Sequence, residues 1–448
     1  MLLTVLVDDR VERDVRVRRL GVVWQLDVLR DFRVESSRSY RPLMTSRVLL
    51  GAVGSALAVF GASGCGGDGV RVAVTVTPAS ATLDVPFNIR VTGLRAGESV
   101  IVRFDGRSPA GVEWEGSLSV RATSSGVVSL VDDYLLEQMH LPGGGLAVSR
   151  GSYRATQATL PRTLRIAVDA NGVVVSVLAR RHPAAGLVPV EPERPLGVGF
   201  YADWRRPKGV HHHTAILLFG GSEGGLSGSD LAAALVAHGY PVLDLAYFRE
   251  PGLPRRLERI PLEYFERALR WLAARPEVDR RRIVTFGISR GGELSLILAS
   301  TFPELVYGAV GYVPYFQAVP SPVDGEQPAW TYRGKPVYGD IPVEKIAGPV
   351  FVAGGGADAL WPSGTAVQRI AERMQQYNRH DLIALIYPNA GHELGHVLPS
   401  QIFASPAHYG VVDTIYGQLQ LGGSPRADET ARENAWPTLL RFLGRIRD

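Results

Sequence analysis

The sequence predicts an α/β domain with a mostly parallel sheet, preceded by an all-β sandwich domain. Three observations carry this reading. Between residues 70 and 182 apolar residues recur at every second position. From about residue 195, near-continuous apolar runs alternate with amphipathic stretches of helical period. One of those runs, RIVTFG, leads straight into Gly287-Ile288-Ser289-Arg290-Gly291 and a further helical stretch. Period 2 suits strands with one buried face, and strands alternating with helices imply a parallel sheet covered on both sides.

The first 43 residues mix Val, Arg and Asp without a sustained period of 2 or 3.6, so no fold is assigned to them. Residues 44–65 form a segment of another kind. Arg47 precedes an apolar run from Val48 to Phe60, and small residues lead on to Cys65. That run is shorter than the roughly 20 residues a bilayer span needs, but it has the three-part layout of a secretory signal. Ala62-Ser63-Gly64-Cys65 also resembles a bacterial lipobox, with Ala62 where leucine is usual. The expectation is translation from Met44, export, and membrane anchoring through a lipidated Cys65. The alternatives are a cytoplasmic protein and an ordinary buried helix.

The sandwich domain is expected over 70–182. VRVAVTVTP (70–78), FNIRVTGL (87–94) and SVIVRFDG (99–106) alternate, and turn signals separate them. Residues 163–181 read as a hairpin turning at Asn171-Gly172. A Pro- and Gly-rich stretch then serves as a linker or edge hairpin. The second domain, 195–448, opens with strand TAILLFGG (214–221), a helix stopped by glycine, and strand PVLDLAYF (241–248). Leu262, Phe265, Leu269 and Leu272 share one helical face, with Pro261 near its start. Strand RIVTFG, the serine turn and its helix follow. Strands YGAVGYVP, PVFVAGG and LIALIYP come next, and the helix ENAWPTLLRFLGRI closes the chain.

Composition bounds the function. The 448 residues are 46% hydrophobic and 21% charged, an ordinary globular balance. The net charge of +4 is small for this length, and lysine occurs only at 208, 335 and 345, so nucleic acid is not expected as a partner. A single cysteine excludes an intramolecular disulfide and any zinc site built from several cysteines. His211 to His213 are weak metal evidence, and no metal or other cofactor is expected.

Ser289 sits where a nucleophile elbow requires it, after a strand and at the start of a helix. The tight turn demands small flanking residues, and the helix N-terminus favours negative charge. A serine hydroxyl needs a base to take its proton and a carboxylate to orient that base. In an α/β-hydrolase these follow in the order serine, acid, histidine, each after a strand. Strand PVFVAGG leads to Asp358, and strand LIALIYP leads to His392. His396, four residues on, is the competing histidine, with solvent or substrate as its other role. The oxyanion of an acyl-transfer intermediate needs N–H donors. One is expected from Arg290, the residue after the nucleophile. The other is expected from FGGSEGG, with Gly221 and Ser222 as suppliers. That loop lacks the lysine of a phosphate-binding Walker motif.

With these residues in hand the chain after residue 70 resembles the acyl-CoA thioesterase and bile-acid-CoA:amino-acid N-acyltransferase family. The resemblance rests on LPRRLERIPLEYFERALRWLAARPEV, GISRGGELS, YPNAGHELG and LGGSPRADETARENAWPTLLRFL. It implies a small β-sandwich before an α/β-hydrolase domain, and nucleophile, acid and base on Ser289, Asp358 and His392. It implies an acyl-serine intermediate on a small-molecule acyl thioester or ester. Serine rather than cysteine at the elbow favours hydrolysis over transfer to an amino acid. Arg255, Arg256 and Arg259 could meet coenzyme A phosphates or simply face solvent. An export signal sits badly with a cytosolic thioester, which keeps an exported carboxylesterase or an acyltransferase as alternatives. A non-catalytic binding protein is disfavoured by the three residues. The insert 315–340 is expected to cover or shape the acyl site, and the sandwich to pack beside its mouth.

Overall fold

In the computed structural model, the structure describes four stretches before residue 61 (3–7, 16–20, 23–27 and 56–60), then 72–131, 163–182, 193–399 and 411–447. Short gaps fall at 83, 86, 108–112, 171–172, 227–228, 322–324 and 415–416. Cys65 and the Asn171-Gly172 turn lie outside the described residues.

The alternating segments form two facing sheets. One has the order Val128–Val131, Asn88–Thr92, Val72–Thr77, Ala56–Phe60. The other has the order Ser80–Thr82, Val173–His182, Thr163–Ala170, Ser99–Arg107, Glu113–Arg121. The expected hairpin is present, running antiparallel from Thr163 opposite Arg180 to Ala170 opposite Val173. Val72, Val74 and Val76 point inward and join Phe87, Ile89, Val102, Phe104 and Ile166 in one core. Burying each such side chain contributes about 1.5–3 kcal/mol, enough to fix the register, since a one-residue slip would expose the whole row. The domain reaches further back than the sequence suggests. Ala56–Phe60, inside the segment read as an export signal, pairs antiparallel with Val72–Thr77.

In the second domain we label the main elements β1 (Tyr201–Arg205), β2 (His213–Phe219), α1 (Ser229–Ala237), β3 (Val242–Ala246), α2 (Leu262–Ala273), β4 (Val278–Ile288), α3 (Arg290–Thr301), β5 (Gly308–Tyr312), β6 (Val350–Gly355), α4 (Ser363–Gln376), β7 (Leu382–Tyr387) and α5 (Pro425–Arg447). The sheet order is β1-β3-β2-β4-β5-β6-β7, with β1 antiparallel and the rest parallel. Each face of this sheet carries its own apolar core. That is why β3, β5 and β6 are buried at every position rather than at alternate ones. On α2, Leu262, Phe265, Leu269 and Leu272 are buried, as their spacing predicts. Helix α3 is buried along nearly its whole length. Three strands from the first 43 residues, to which the sequence assigns no fold, extend the sheet past β7. Leu3–Val7 runs parallel to β7, followed by Val23–Asp27 and Arg16–Leu20.

Because β2 to β7 are parallel, the loops after them gather at one end of the sheet. Loops after β2, β4, β6 and β7 carry residues 220–225, Ser289, Asp358 and His392. The sandwich is tied on elsewhere. Asp84 Oδ2 lies 2.7 Å from His238 Nε2 and accepts the Trp436 indole N–H at 3.1 Å. His238 follows α1 and precedes β3, so this contact sits at the starting end of the strands, opposite Ser289, and not at the mouth where the sandwich was expected. Among the described residues no helix is long and apolar enough to cross a membrane.

Candidate active site

Ser289 joins β4 to α3 with φ 57° and ψ −119°, a left-handed conformation that a side chain rarely adopts. Such strain costs about 1–3 kcal/mol and persists only where its surroundings enforce it. They do so here. Ser289 N–H donates to Tyr312 O at 2.9 Å, and Ser289 O accepts the Glu293 N–H at 3.1 Å. A Cβ on residue 287 would lie 1.9 Å from Gly291 O, and one on residue 291 would lie 2.2 Å from Gly220 O. Glycine at both ends of the motif is therefore a steric requirement. The turn sets Ser289 at the N-terminus of α3, where the dipole favours negative charge.

His392 begins a short 3-10 turn, His392–His396. Its Nε2 lies 3.0 Å from Ser289 Oγ and its Nδ1 lies 2.8 Å from Asp358 Oδ2. The structure thus brings together the three residues that strand order singled out. Asp358 is held by more than the histidine. Its Oδ2 accepts the Ser363 hydroxyl at 2.6 Å, and its Oδ1 accepts the N–H groups of Leu360 and Trp361 at 3.0 and 3.3 Å. The Asp358 side chain is closed to solvent. Trp361 stands edge-on to the His392 ring with centroids 5.9 Å apart, and its indole N–H donates to Val313 O at 3.0 Å. Behind the histidine, Gly391 N–H donates to Asp428 Oδ1 at 2.5 Å, and His392 N–H donates to Leu421 O at 2.8 Å. A Cβ on residue 391 would lie 2.4 Å from Gly422, so the close approach needs glycine.

The expected oxyanion loop lies against the elbow, with one difference. Gly221 N–H is engaged, donating to Glu223 Oε1 at 2.8 Å. The Gly220 and Gly221 carbonyls accept the Tyr247 hydroxyl at 2.8 and 2.7 Å. Of the two suppliers expected here, Gly221 is thus occupied by a side chain of its own loop. The Arg290 side chain turns away from the loop. Its guanidinium donates to Glu293 Oε2 at 2.5 Å and to the carbonyls of Val319 and Pro320.

His396 is not aimed at Ser289 but lies with Nε2 2.5 Å from Glu393 Oε2. His211 and His212 are exposed, and His213 opens β2 at the far end of the sheet. Arg255, Arg256 and Arg259 are exposed on the loop after β3, at the end of the sheet that carries Ser289. Four contributors were not legible in the sequence: Glu223, Trp361, Ser363 and Asp428. The nearest signal was for Ser363, five residues past the acid at the start of a helix.

Comparison with known proteins agrees with this geometry. The family described as BAAT / acyl-CoA thioester hydrolase C terminal matches residues 260–311 and 332–446, which include Ser289, Asp358 and His392. Both matched stretches lie within the second domain. Among relatives of the BAAT / acyl-CoA thioester hydrolase domain, acyl-coenzyme A thioesterase 6 of Mus musculus is 27% identical over 415 residues, 83% of this chain and 96% of the relative. Acyl-coenzyme A amino acid N-acyltransferase 1 of Mus musculus is 27% identical over 47% of this chain and 55% of its own. Acyl-coenzyme A thioesterase 2, mitochondrial, of Homo sapiens is 29% identical over 47% of this chain and 48% of its own. The first is spanned nearly end to end, and about half of each of the other two is spanned. The chain is an enzyme with a hydrolase domain.

Proposed function

We propose that the protein hydrolyses acyl thioesters through an acyl-serine intermediate. The observation that carries this is the 3.0 Å approach of His392 Nε2 to Ser289 Oγ while Nδ1 meets Asp358 Oδ2 at 2.8 Å. Ser289 Oγ attacks the acyl carbonyl as its proton passes to Nε2. Asp358 keeps the imidazole in the tautomer that presents Nε2 as acceptor and stabilises the imidazolium that forms. The oxyanion is held by the Arg290 N–H with a donor from the loop after β2. Collapse expels the thiol with the proton from His392. Water, activated by the same imidazole, then releases the carboxylic acid. The thioester is the preferred substrate class because the relatives bear acyl-coenzyme A thioesterase names. The exposed Arg255, Arg256 and Arg259 at the same end of the sheet suit a phosphorylated leaving group.

A second reading, an exported and membrane-anchored carboxylesterase, is favoured by the signal-like segment 44–65. Against it, loss of that segment would take the edge strand Ala56–Phe60 from the four-stranded sheet. Hydrolysis of palmitoyl-CoA, a short acyl-CoA and the matched p-nitrophenyl esters, with Ser289→Ala as control, tests both. Activity on the CoA thioesters well above the esters supports the first reading. Turnover of esters alone supports the second. Activity retained by Ser289→Ala overturns both.

A further inference from the structure

Ser289 stands between two kinds of surface. In the strand order β3-β2-β4-β5-β6 the loops after β3 and β6 lie on opposite sides of the nucleophile, each two strands away from β4. Neighbouring strands are about 4.8 Å apart, so each loop starts about 10 Å from the elbow and about 19 Å from the other. Toward β3 the loops carry Arg249, Arg255, Arg256 and Arg259, all exposed, and the half-buried Glu223, while Tyr247 and Phe248 there are buried. Toward β6 the rings are left partly open. Tyr315, three residues past β5, and Trp361, on the loop after β6, are both half-buried.

These two rings form one surface. They stack with centroids 5.4 Å apart and planes 19° from parallel. Trp361 also meets side chains on both sides of the nucleophile. Its ring centroid lies 5.9 Å from that of His392 and 5.8 Å from the Arg290 guanidinium carbon. The surface is fixed in place. The Trp361 indole N–H donates to Val313 O at 3.0 Å, and its backbone N–H donates to Asp358 Oδ1 at 3.3 Å. Tyr315 packs on Phe316 with centroids 4.9 Å apart, and Phe316 O accepts the Ile341 N–H at 3.1 Å. A surface already held loses little freedom when a ligand arrives, and aromatic rings left partly open beside reacting groups are the usual lining of an apolar subsite.

The acyl chain and the leaving sulfur diverge from the carbon that Ser289 attacks, so the two cannot follow one wall. A chain laid along the arginine loop would strip water from charged groups and pair them with nothing, whereas on Trp361 and Tyr315 it covers apolar ring surface. A phosphorylated leaving group has the opposite preference. We propose that Trp361, backed by Tyr315, is a specificity-determining residue that receives an apolar acyl chain, while the leaving group lies toward the β3 side. The inference deepens the acyl-serine reading and rests on it. It narrows the substrate class to thioesters whose chain is apolar beyond the carbonyl.

The test uses the full chain with straight-chain thioesters from butanoyl to octanoyl, each as the coenzyme A and as the N-acetylcysteamine thioester. Wild type, Trp361→Ala, Trp361→Phe and Tyr315→Ala are compared for kcat/KM, with fluorophosphonate labelling of Ser289 and unfolding curves alongside. A fully buried methylene is worth about fourfold and one lying against a single wall about twofold, so four methylenes should raise wild-type kcat/KM about 15-fold. Trp361→Ala should cut that rise to about threefold or less, equally in both thioester series. Trp361→Phe keeps a ring without the indole N–H and should retain most of the rise. Tyr315→Ala should at least halve it, and decides alone should Trp361→Ala not fold. A wild type indifferent to chain length overturns the proposal. So does a folded Trp361→Ala that lowers every chain length by the same factor, the mark of a merely structural role. A variant that changes the ratio between the two series and leaves the rise intact puts the leaving group on Trp361, and also overturns it. In these cases Ser289 still labels and the acyl-serine reading stands. Wild type that turns over no thioester overturns the thioester reading and this proposal together, and absence of Ser289 labelling extends that to the acyl-serine step.

Discussion

Arg290 and Glu293, three residues apart on the first turn behind Ser289, form an ion pair at 2.5 Å with side chains 4% and 0% exposed. The pair faces the insert between β5 and β6. Glu293 Oε1 accepts the Trp330 indole N–H at 2.8 Å and the Val319 N–H at 3.4 Å, while Arg290 donates to the Val319 and Pro320 carbonyls. The insert is therefore bolted to the helix that carries the nucleophile and acts as a fixed wall. Removing one partner leaves a buried charge uncompensated. Glu293→Ala should lose about 3–5 kcal/mol of stability in denaturant unfolding. A loss under about 1 kcal/mol would mean the pair does not hold the insert.

Asp358 and Ser363 allow the orienting group to be weakened in two steps. Asp358→Asn keeps the shape but disturbs the histidine tautomer, and kcat should fall by about 10⁴. Ser363→Ala removes one neutral hydrogen bond to Asp358, worth about 1–1.5 kcal/mol, so kcat should fall by about tenfold or less with KM steady. Equal effects from the two variants would contradict this ordering.

The Asp84 contact should make domain attachment sensitive to acid. Burial alone would raise the Asp84 pKa, but hydrogen bonds from His238, Thr82 and Trp436 and the His238 charge outweigh it and hold the pKa below its ordinary value. A carboxyl depressed by folding adds stability that is complete above its unfolded pKa of about 3.9 and is lost as pH falls through the folded value. The melting temperature of wild type should thus exceed that of Asp84→Asn at about pH 7, and the gap should narrow only as pH falls below the unfolded value of about 3.9. A gap independent of pH would assign the effect of the variant to shape rather than charge.

The elbow glycines give a steric prediction. In Gly287→Ala the new methyl would lie 1.9 Å from Gly291 O, a backbone atom that cannot yield without moving α3. Hydrolysis should be lost, and soluble yield or melting temperature should drop with it. Activity within about tenfold of wild type would show that the turn tolerates a side chain.

The sheet and the Ser289–Asp358–His392 set were legible for physical reasons. Parallel strands buried on both faces must be apolar throughout, and a residue just past each strand must arrive at the same end of the sheet. Glu223 was not legible, because a glutamate among glycines looks like a solvated loop until its carboxyl is seen accepting the Gly221 N–H. Asp84, His238 and Trp436 stand far apart in the chain, and single polar residues carry no sign of such a meeting. Ala56–Phe60 is ambiguous for the opposite reason. A short apolar run suits a signal segment and a sheet-edge strand equally well, and its pairing with Val72–Thr77 was not legible in its own residues.

The hold of α5 on the histidine turn bears on synthesis. Asp428 takes the Gly391 N–H, Arg432 Nη1 donates to Glu393 O at 3.0 Å, and Leu421 O takes the His392 N–H. A nascent chain that has already delivered serine, acid and base still lacks the brace for its imidazole until α5 clears the ribosome. The brace thus arrives only once residues 421–432 have been made. Chains stopped at residue 420 should leave Ser289 far slower to react with a fluorophosphonate than full-length protein, and equal labelling rates would show that the turn holds its shape unaided.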